Sequence, residues 1–179
     1  ACRGGDRDSR ERFSGHGSAI AQVYDHMIMA LANERDRRTQ VIWGIRDFES
    51  RFGRKPEGMW LAETAADIPT LQTLAEHDIR FTILSPYQAR RVRPLSAKNW
   101  TDVSGGKIDP RMPYRQLLPS GKHIDLFFYD GPIAQGVAFE GILNRGEDFA
   151  HRLVGPLDEA PEKPQLVHIA TDGDTYGHH

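Results

Sequence analysis

Short apolar runs that alternate with helical patterns constrain the fold of this 179-residue chain more than any other feature. Such runs are too short for ordinary helices and favour buried strands. They cover residues 57–63, 79–84, 123–129 and 165–171. With the helices between them, the order is helix, helix, strand, helix, strand, strand, helix, strand. That order predicts an α/β fold with largely parallel strands covered on both faces.

The helices are predicted from apolar residues at three- and four-residue spacing. They cover residues 20–31, 41–52, 68–75 and 146–153. Ser18 and Asp67 can act as N-caps of the first and third helices, and Gly53 closes the second. The charged residues 33–39 are expected to end the first helix.

The region from Ser85 to Pro119 has the least regular pattern, with five prolines and the pair Gly105–Gly106. A loop of that length within a compact domain is usually functional, or else it contains a short hairpin. Residues 114–118 and 123–129, separated by a Pro-Ser-Gly turn, predict such a hairpin.

Composition excludes several classes of protein. Hydrophobic residues make up 39% of the chain and charged residues 27%, which is typical of a globular domain. The net charge of −2 shows no excess of positive charge that would indicate binding to nucleic acid or to an anionic membrane. No apolar run is long enough to span a bilayer. Cys2 is the single cysteine, so an internal disulfide is excluded, and we expect a reducing, cytoplasmic location.

The two ends of the sequence indicate truncation. The chain begins at Ala1 without a methionine, and it stops at His179 directly after a predicted strand. We therefore expect a piece of a longer protein, with a polar, truncated stretch over residues 1–14 and a partial catalytic domain over residues 15–179.

Two of the predicted strands end in carboxylates, at Glu63 and at Asp172. In barrel-type α/β folds the carboxyl ends of the strands form the active-site face. Glycoside hydrolysis uses a pair of carboxyl groups that flank the glycosidic bond to be cleaved. Trp60 would offer an indole face to a sugar ring. The alternative is that Glu63 caps a helix and Asp172 lies in an ordinary turn.

The last residues also permit a metal site. Asp172 or Asp174 could hold a divalent cation together with His178 and His179. The alternative is a polar turn. His26, on an otherwise apolar stripe, is more often a hydrogen-bonded core histidine than a ligand.

Three segments resemble the conserved motifs of glycoside hydrolase family 57. KPEGMWLAE (residues 55–63) and HIATDGDTYGHH (168–179) are similar to its two catalytic motifs, and GHGSAIAQVYDHMIMALA (15–32) to an earlier one. The likeness is greatest to a bacterial branch beside the amylase-like members. It implies a (β/α)7 barrel of the glycoside hydrolase and deacetylase type, of which this chain holds the later strands only.

The resemblance also implies α-glucan substrates and a retaining mechanism, with Glu63 as nucleophile and Asp172 as general acid/base. The sequence differs from the family at Thr64, where Arg is usual, and at Asp174, where Glu is usual. Residues expected to bind substrate are Trp60, His16, His26, Asp130, Asp174 and His178.

No cofactor or metal is expected on this interpretation, and the isolated piece is expected to be inactive. Two alternatives stay open. One is a metal-dependent hydrolase related to polysaccharide deacetylases, and the other is a carbohydrate-binding relic without activity.

Overall fold

The computed structural model describes residues 2–176, and for Asp174 the backbone only. Within this part the α-helices are α1 Cys2–Arg12, α2 Glu34–Phe52, α3 Ile68–Glu76, α4 Gly131–Phe139 and α5 Gly146–Val154. The strands are β1 Ala21–Gln22, β2 Met59–Trp60, β3 Phe81–Leu84, β4 Arg91–Val92, β5 Thr101–Asp102, β6 Tyr114–Leu117 and β7 His123–Phe128.

The chain forms two compact units. The first contains the residues up to Ile83 together with Tyr114–Leu126, and the second contains Leu84–Pro113 and the residues from Phe127 onward. Strands β3 and β7 therefore each begin in the first unit and end in the second.

The sheet of the first unit is mainly parallel. Strand β1 pairs with β2, with Ala21 opposite Met59, and Gly58 forms a parallel bridge to Phe81 at the start of β3. The Thr82 hydroxyl strengthens this edge because it donates to the carbonyl oxygen of Met59 at 2.8 Å. The carboxyl ends of β1 and β2 therefore lie side by side.

Strand β7 follows β3 in the same direction. The amide of Asp125 donates to the Arg80 carbonyl in the first unit, and that of Tyr129 donates to the Leu84 carbonyl in the second. Because both partners advance by four residues, β3 and β7 are parallel. Strand β6 closes the sheet antiparallel to β7, which confirms the predicted hairpin.

Helix α2 packs directly on β1. A Cβ atom at Gly44 would overlap the carbonyl oxygen of Gln22, so only glycine permits this approach. The helix begins at Asn33, whose side chain accepts the Asp36 amide, and ends at Gly53 in the left-handed conformation, as predicted.

Each unit has its own core. That of the first unit includes the buried residues Val23, Met29, Val41, Phe48, Met59, Leu61, Leu74 and Ile124. That of the second includes Leu84, Val103, Ile108, Phe128, Ile133 and Val137.

In the second unit, residues 165–171 run as an extended segment beside the end of β7. Its contacts are hydrogen bonds from the Asp130 amide to the His168 carbonyl and from the Leu166 amide to the Arg111 carbonyl. The predicted buried strand is wrong in detail, because this segment is only partly buried and forms no regular ladder. Strands β4 and β5 form a second short hairpin, which was not predicted from the sequence.

The helix predicted over residues 20–31 is wrong. The segment forms β1, a loop, and a 3₁₀ turn at Met29–Leu31. Its apolar residues do not share a face, since Val23 and Met29 are buried whereas Leu31 is exposed. Pairing with β2 overrides the helical spacing.

Three further differences concern helix positions. Residues 33–39 begin α2 and do not end an earlier helix. The polar stretch over residues 1–14 contains helix α1, and α4 was not predicted because Gly131, Pro132 and Gly136 obscure its pattern. Within residues 2–176, no helix combines the length and the apolar character that a membrane crossing requires.

Candidate active site

Glu63 projects into solvent from a buried support at the carboxyl end of β2. Leu61 and Ala62 are fully buried, whereas 76% of the Glu63 side chain is exposed. A 3₁₀ turn at Ala62–Thr64 fixes the position, since the Thr64 amide donates to the Leu61 carbonyl at 3.0 Å. The carboxylate is therefore accessible on a rigid base.

The backbone of this turn is strained. Glu63 has φ 55° and Thr64 has φ 53°, in the left-handed region that side chains with a Cβ atom rarely adopt. His26 also has a positive φ, of 53°. Such residues cost about 1–3 kcal/mol each, and they cluster at active sites because surrounding structure imposes them. In the described part of the chain, three of the five non-glycine residues with positive φ lie at this site.

His26 approaches Glu63 from the loop that follows the neighbouring strand β1. Its Nε2 atom lies 3.6 Å from Oε1 of Glu63, and 62% of its side chain is exposed. The pairing of β1 with β2 produces this approach, since both residues follow the carboxyl ends of parallel neighbours. At this separation the two groups are within ion-pair distance but not within hydrogen-bond distance.

The loop that carries His26 is fixed by a buried side chain of α2. Oε1 of Gln40 accepts the Asp25 amide at 2.8 Å, and Nε2 of Gln40 donates to Oδ2 of Asp25 at 2.8 Å. Gln40 is buried whereas Asp25 is exposed, so both contacts are partly buried. We call this pair of hydrogen bonds the Gln40 clamp.

Two other predicted residues of the first unit lie at different ends of β2. Trp60 is half-buried within the strand, three residues before Glu63. His16 instead lies before the strand, where Nδ1 is 3.0 Å from both carboxylate oxygens of Glu57. His16 therefore lies away from Glu63, and we leave it out of the proposed substrate site.

In the second unit, Asp172 lines a cavity of about 850 Å³. The cavity is built at the ends of three extended segments, by the residues that follow β3, by those that follow β7, and by Ala170–Asp172. Asp172 is exposed, and its carbonyl accepts the Thr175 amide in the turn at Gly173–Tyr176. A carboxylate thus lies at a carboxyl end in this unit too.

Asp130 has a structural contact that the sequence interpretation did not include. Its Oδ1 accepts the Ile133 amide at 2.9 Å, so the side chain caps α4. Its predicted role in substrate binding therefore competes with capping. The side chain of Asp174 and the whole of His178 lie outside the described residues, and their predicted roles stay predictions.

His168 lies on the segment that leads to Asp172. Burial lowers the pKa of its imidazole, against smaller opposite effects of a hydrogen bond with the Phe128 backbone and of the Asp130 charge. Its Nε2 atom is buried without a hydrogen-bond partner. The neutral form is therefore favoured.

The alternative metal site involves His178 and His179, which lie outside the described residues. Within residues 2–176, apart from the Asp174 side chain, no group of three or more His, Cys, Asp or Glu side chains could hold a metal ion.

Sequence interpretation missed two features of the site. Gln40 lies on a helix that was predicted, but its contact with Asp25 depends on a strand that was not. Tyr87 lines the cavity of the second unit directly after β3, and its strand-end position is the signal that could have identified it.

Residues 13–179 match the family described as glycosyl hydrolase family 57. The chain belongs to glycosyl hydrolase family 57. None of the curated proteins compared with this family 57 chain gives a significant match.

Several solved structures share the fold of this chain. The 4-α-glucanotransferase from Thermococcus litoralis matches with TM-score 0.65 and 18% identity, over 96% of this chain and 24% of that one. An exo-type maltose-forming amylase from Pyrococcus sp. ST04 matches with TM-score 0.66 and 18% identity, over 92% and 26%. A branching enzyme from Pyrococcus horikoshii matches with TM-score 0.51 and 19% identity, over 75% and 25%.

These likenesses confirm the predicted fold class, a mixed α/β chain that forms part of a (β/α)7 barrel. This family 57 chain spans about a quarter of the length of the structures it matches.

Proposed function

We propose that this chain carries the catalytic groups of a retaining enzyme that cleaves or transfers α-glucans. The nucleophile is Glu63 and the general acid/base is Asp172. Family membership supports the reaction class, and the names of the matched structures support α-glucan as substrate.

One observation carries the proposal. Glu63 is an exposed carboxylate on a strained turn at a strand end, with the His26 imidazole 3.6 Å away. A merely structural carboxylate gains nothing from a left-handed backbone, whereas a nucleophile gains a fixed direction of attack.

In the first step, an oxygen of Glu63 attacks the anomeric carbon of the glucan. The glycosidic C–O bond breaks, and Asp172 donates its proton to the leaving oxygen. His26 holds the Glu63 carboxylate in orientation. The product is a glycosyl ester on Glu63.

In the second step, Asp172 takes a proton from an acceptor hydroxyl, whose oxygen attacks the anomeric carbon. The ester bond breaks and Glu63 is released as a carboxylate. Water as acceptor gives hydrolysis, and a sugar hydroxyl gives transfer.

The test uses the full-length protein that contains this chain, assayed on maltooligosaccharides with products resolved by size. Glu63→Gln should abolish turnover, because an amide cannot form the glycosyl ester. Asp172→Ala should be partly rescued by azide on a substrate with a good leaving group, since this variant keeps the nucleophile.

Glu57→Gln is the matched control for Glu63, because Glu57 precedes β2 and Glu63 follows it. Asp148→Asn, on the exposed surface of α5, is the control for Asp172. Glucan binding without turnover by the native protein would contradict the proposal, as would activity that needs added zinc.

A further inference from the structure

We infer that Tyr87 forms a stacking subsite for one sugar ring of the glucan, in the cavity that Asp172 lines. This inference rests on the proposed function, because it assigns the residue that binds the substrate beside the acid/base. The subsite takes a neutral hexose unit.

Tyr87 presents an open aromatic ring. It belongs to the 3₁₀ turn Pro86–Gln88 directly after β3, and 74% of the residue is exposed. Exposing a large aromatic side chain forfeits the free energy of its burial, about 25 cal/mol per Å² of apolar surface. A ring at a strand end that stays open in this way is available to a ligand.

The ring is supported by the backbone of Gly106. A Cβ atom at Gly106 would lie 3.3 Å from Cζ, 3.4 Å from Cε1 and 3.6 Å from Cε2 of Tyr87. The main chain therefore lies close beneath the hydroxyl-bearing half of the ring. Gly106 also has φ 79°, which favours glycine for a second reason.

Three other exposed rings of the described chain, Trp100, Tyr24 and Trp43, are already in contact with aromatic or cationic neighbours, whereas Phe139, which is 86% exposed, lines the same cavity as Tyr87. Trp100 has the guanidinium groups of Arg91 and Arg93 within 4.7 and 5.1 Å of its ring centre. Tyr24 meets the edge of Trp43 at 5.5 Å. Among the described residues, Tyr87 has no such ring or cation partner.

The cavity around Tyr87 suits a polar, uncharged ligand. Its volume of about 850 Å³ falls within the range of small-molecule sites. Asp172, Thr171 and Thr175 supply oxygens for sugar hydroxyls, and Glu140 is paired with Arg152 at 3.5 Å. Aromatic faces bind the apolar C–H faces of sugars, so Tyr87 completes the chemistry of a hexose site.

The experiment measures binding of maltoheptaose by calorimetry in the full-length protein, with Glu63→Gln present throughout to prevent turnover. Adding Tyr87→Ala should weaken binding about tenfold, whereas adding Tyr87→Phe should change it less than about twofold. Gly106→Ala should also weaken binding, because its methyl group displaces the ring. Trp100→Ala is the control, since Trp100 does not line the cavity.

Thermal unfolding should be little changed by Tyr87→Ala, because the ring is mostly exposed. Unchanged binding in a folded Tyr87→Ala variant would overturn the subsite and leave the proposed function intact. Absence of glucan binding and turnover in the native protein would overturn both. A loss of binding as large in Tyr87→Phe as in Tyr87→Ala would overturn stacking in favour of a hydroxyl contact.

Discussion

Nε2 of His26 lies 3.6 Å from Oε1 of Glu63, and both residues adopt left-handed backbone angles at the ends of neighbouring parallel strands. The relationship depends on two loops that independent contacts hold in place. On the Glu63 side, the support is a turn of buried residues. On the His26 side, it is the Gln40 clamp.

The Gln40 clamp predicts that a substitution in α2, away from the substrate, reduces catalysis. In Gln40→Ala, Asp25 loses both partners and the His26 loop can move. We expect kcat on maltooligosaccharides to fall about tenfold with KM little changed, since a positioning group acts mainly on the chemical step. Gln40→Glu should be as impaired, because its second oxygen repels Asp25.

The double variant Gln40→Glu with Asp25→Asn provides the test of mechanism. It reverses the donor and acceptor between the side chains and keeps the bond from the residue 25 amide, so kcat should recover. Thr39→Ala, at a partly exposed neighbouring position, should not change kcat. If the double variant were no better than Gln40→Glu alone, orientation through the clamp would be the wrong explanation.

Backbone strain at Glu63 predicts that glycine is more stabilising than alanine there. Left-handed angles cost a residue with a Cβ atom roughly 1–2 kcal/mol, and the exposed Glu63 side chain contributes few contacts. The free energy of unfolding, from urea titration, should be about 1 kcal/mol higher in Glu63→Gly than in Glu63→Ala.

Arg38, exposed within α2, is the reference position. There the order should reverse, with alanine favoured over glycine by about 1 kcal/mol. Equal stability of Glu63→Gly and Glu63→Ala would show that the turn holds no strain.

Much of the fold could be predicted because its signals are local. Gly53 ends α2 and Asp67 caps α3 through the Thr70 amide, as predicted, since both effects involve residues within one turn. The hairpin of β6 and β7 follows from its Pro-Ser-Gly turn. These signals do not depend on distant parts of the chain.

Strand β1 could not be predicted in the same way. It has two residues, Ala21 and Gln22, and its partners Met59 and Trp60 lie far along the chain. Apolar residues around it happen to recur at helical spacing. Helix α1 was missed for a similar reason, because its one buried residue is the charged Asp6.

The same difference between local signals and distant contacts applies to the candidate site. Glu63 and Asp172 were identified from motifs, and their roles stay predictions. The contact of His26 with Glu63 could not be foreseen from a helix prediction, since it arises from the pairing of β1 with β2. The separation of about 5–5.5 Å expected for retaining carboxylates also stays a prediction.

A buried ion pair predicts acid sensitivity of the first unit. Arg54 donates to Asp6 through Nε at 3.0 Å and through Nη2 at 2.6 Å, and this pairing lowers the pKa of Asp6. The resulting stability is present above the ordinary aspartate pKa and is lost as pH falls through the lowered one.

Asp6→Asn should lower the free energy of unfolding by about 3 kcal/mol near pH 7 and flatten its decline between pH 5 and 2. Urea titrations at a series of pH values measure both effects. Asp8→Asn, at an exposed position on the same helix, should keep the native pH dependence. A parallel decline in the Asp6→Asn variant would contradict this assignment.

His168 predicts a second pH dependence, at a higher pH and in the second unit. Burial lowers the pKa of its imidazole, so the unfolded chain binds the proton more readily than the folded chain does. Stability from this group is therefore complete above the ordinary histidine pKa of about 6.5, and it is lost as pH falls toward the lowered value. Protonation would also give a charge to the buried Nε2, which has no partner, beside the ring of Phe127.

His168→Gln is neutral at every pH, so its free energy of unfolding should decline less than that of the native chain between pH 7.5 and 5. Subtracting the two curves removes the contribution of the other seven histidines, which both proteins share. A difference that stays constant over this range would show that His168 titrates alike in the folded and unfolded chains.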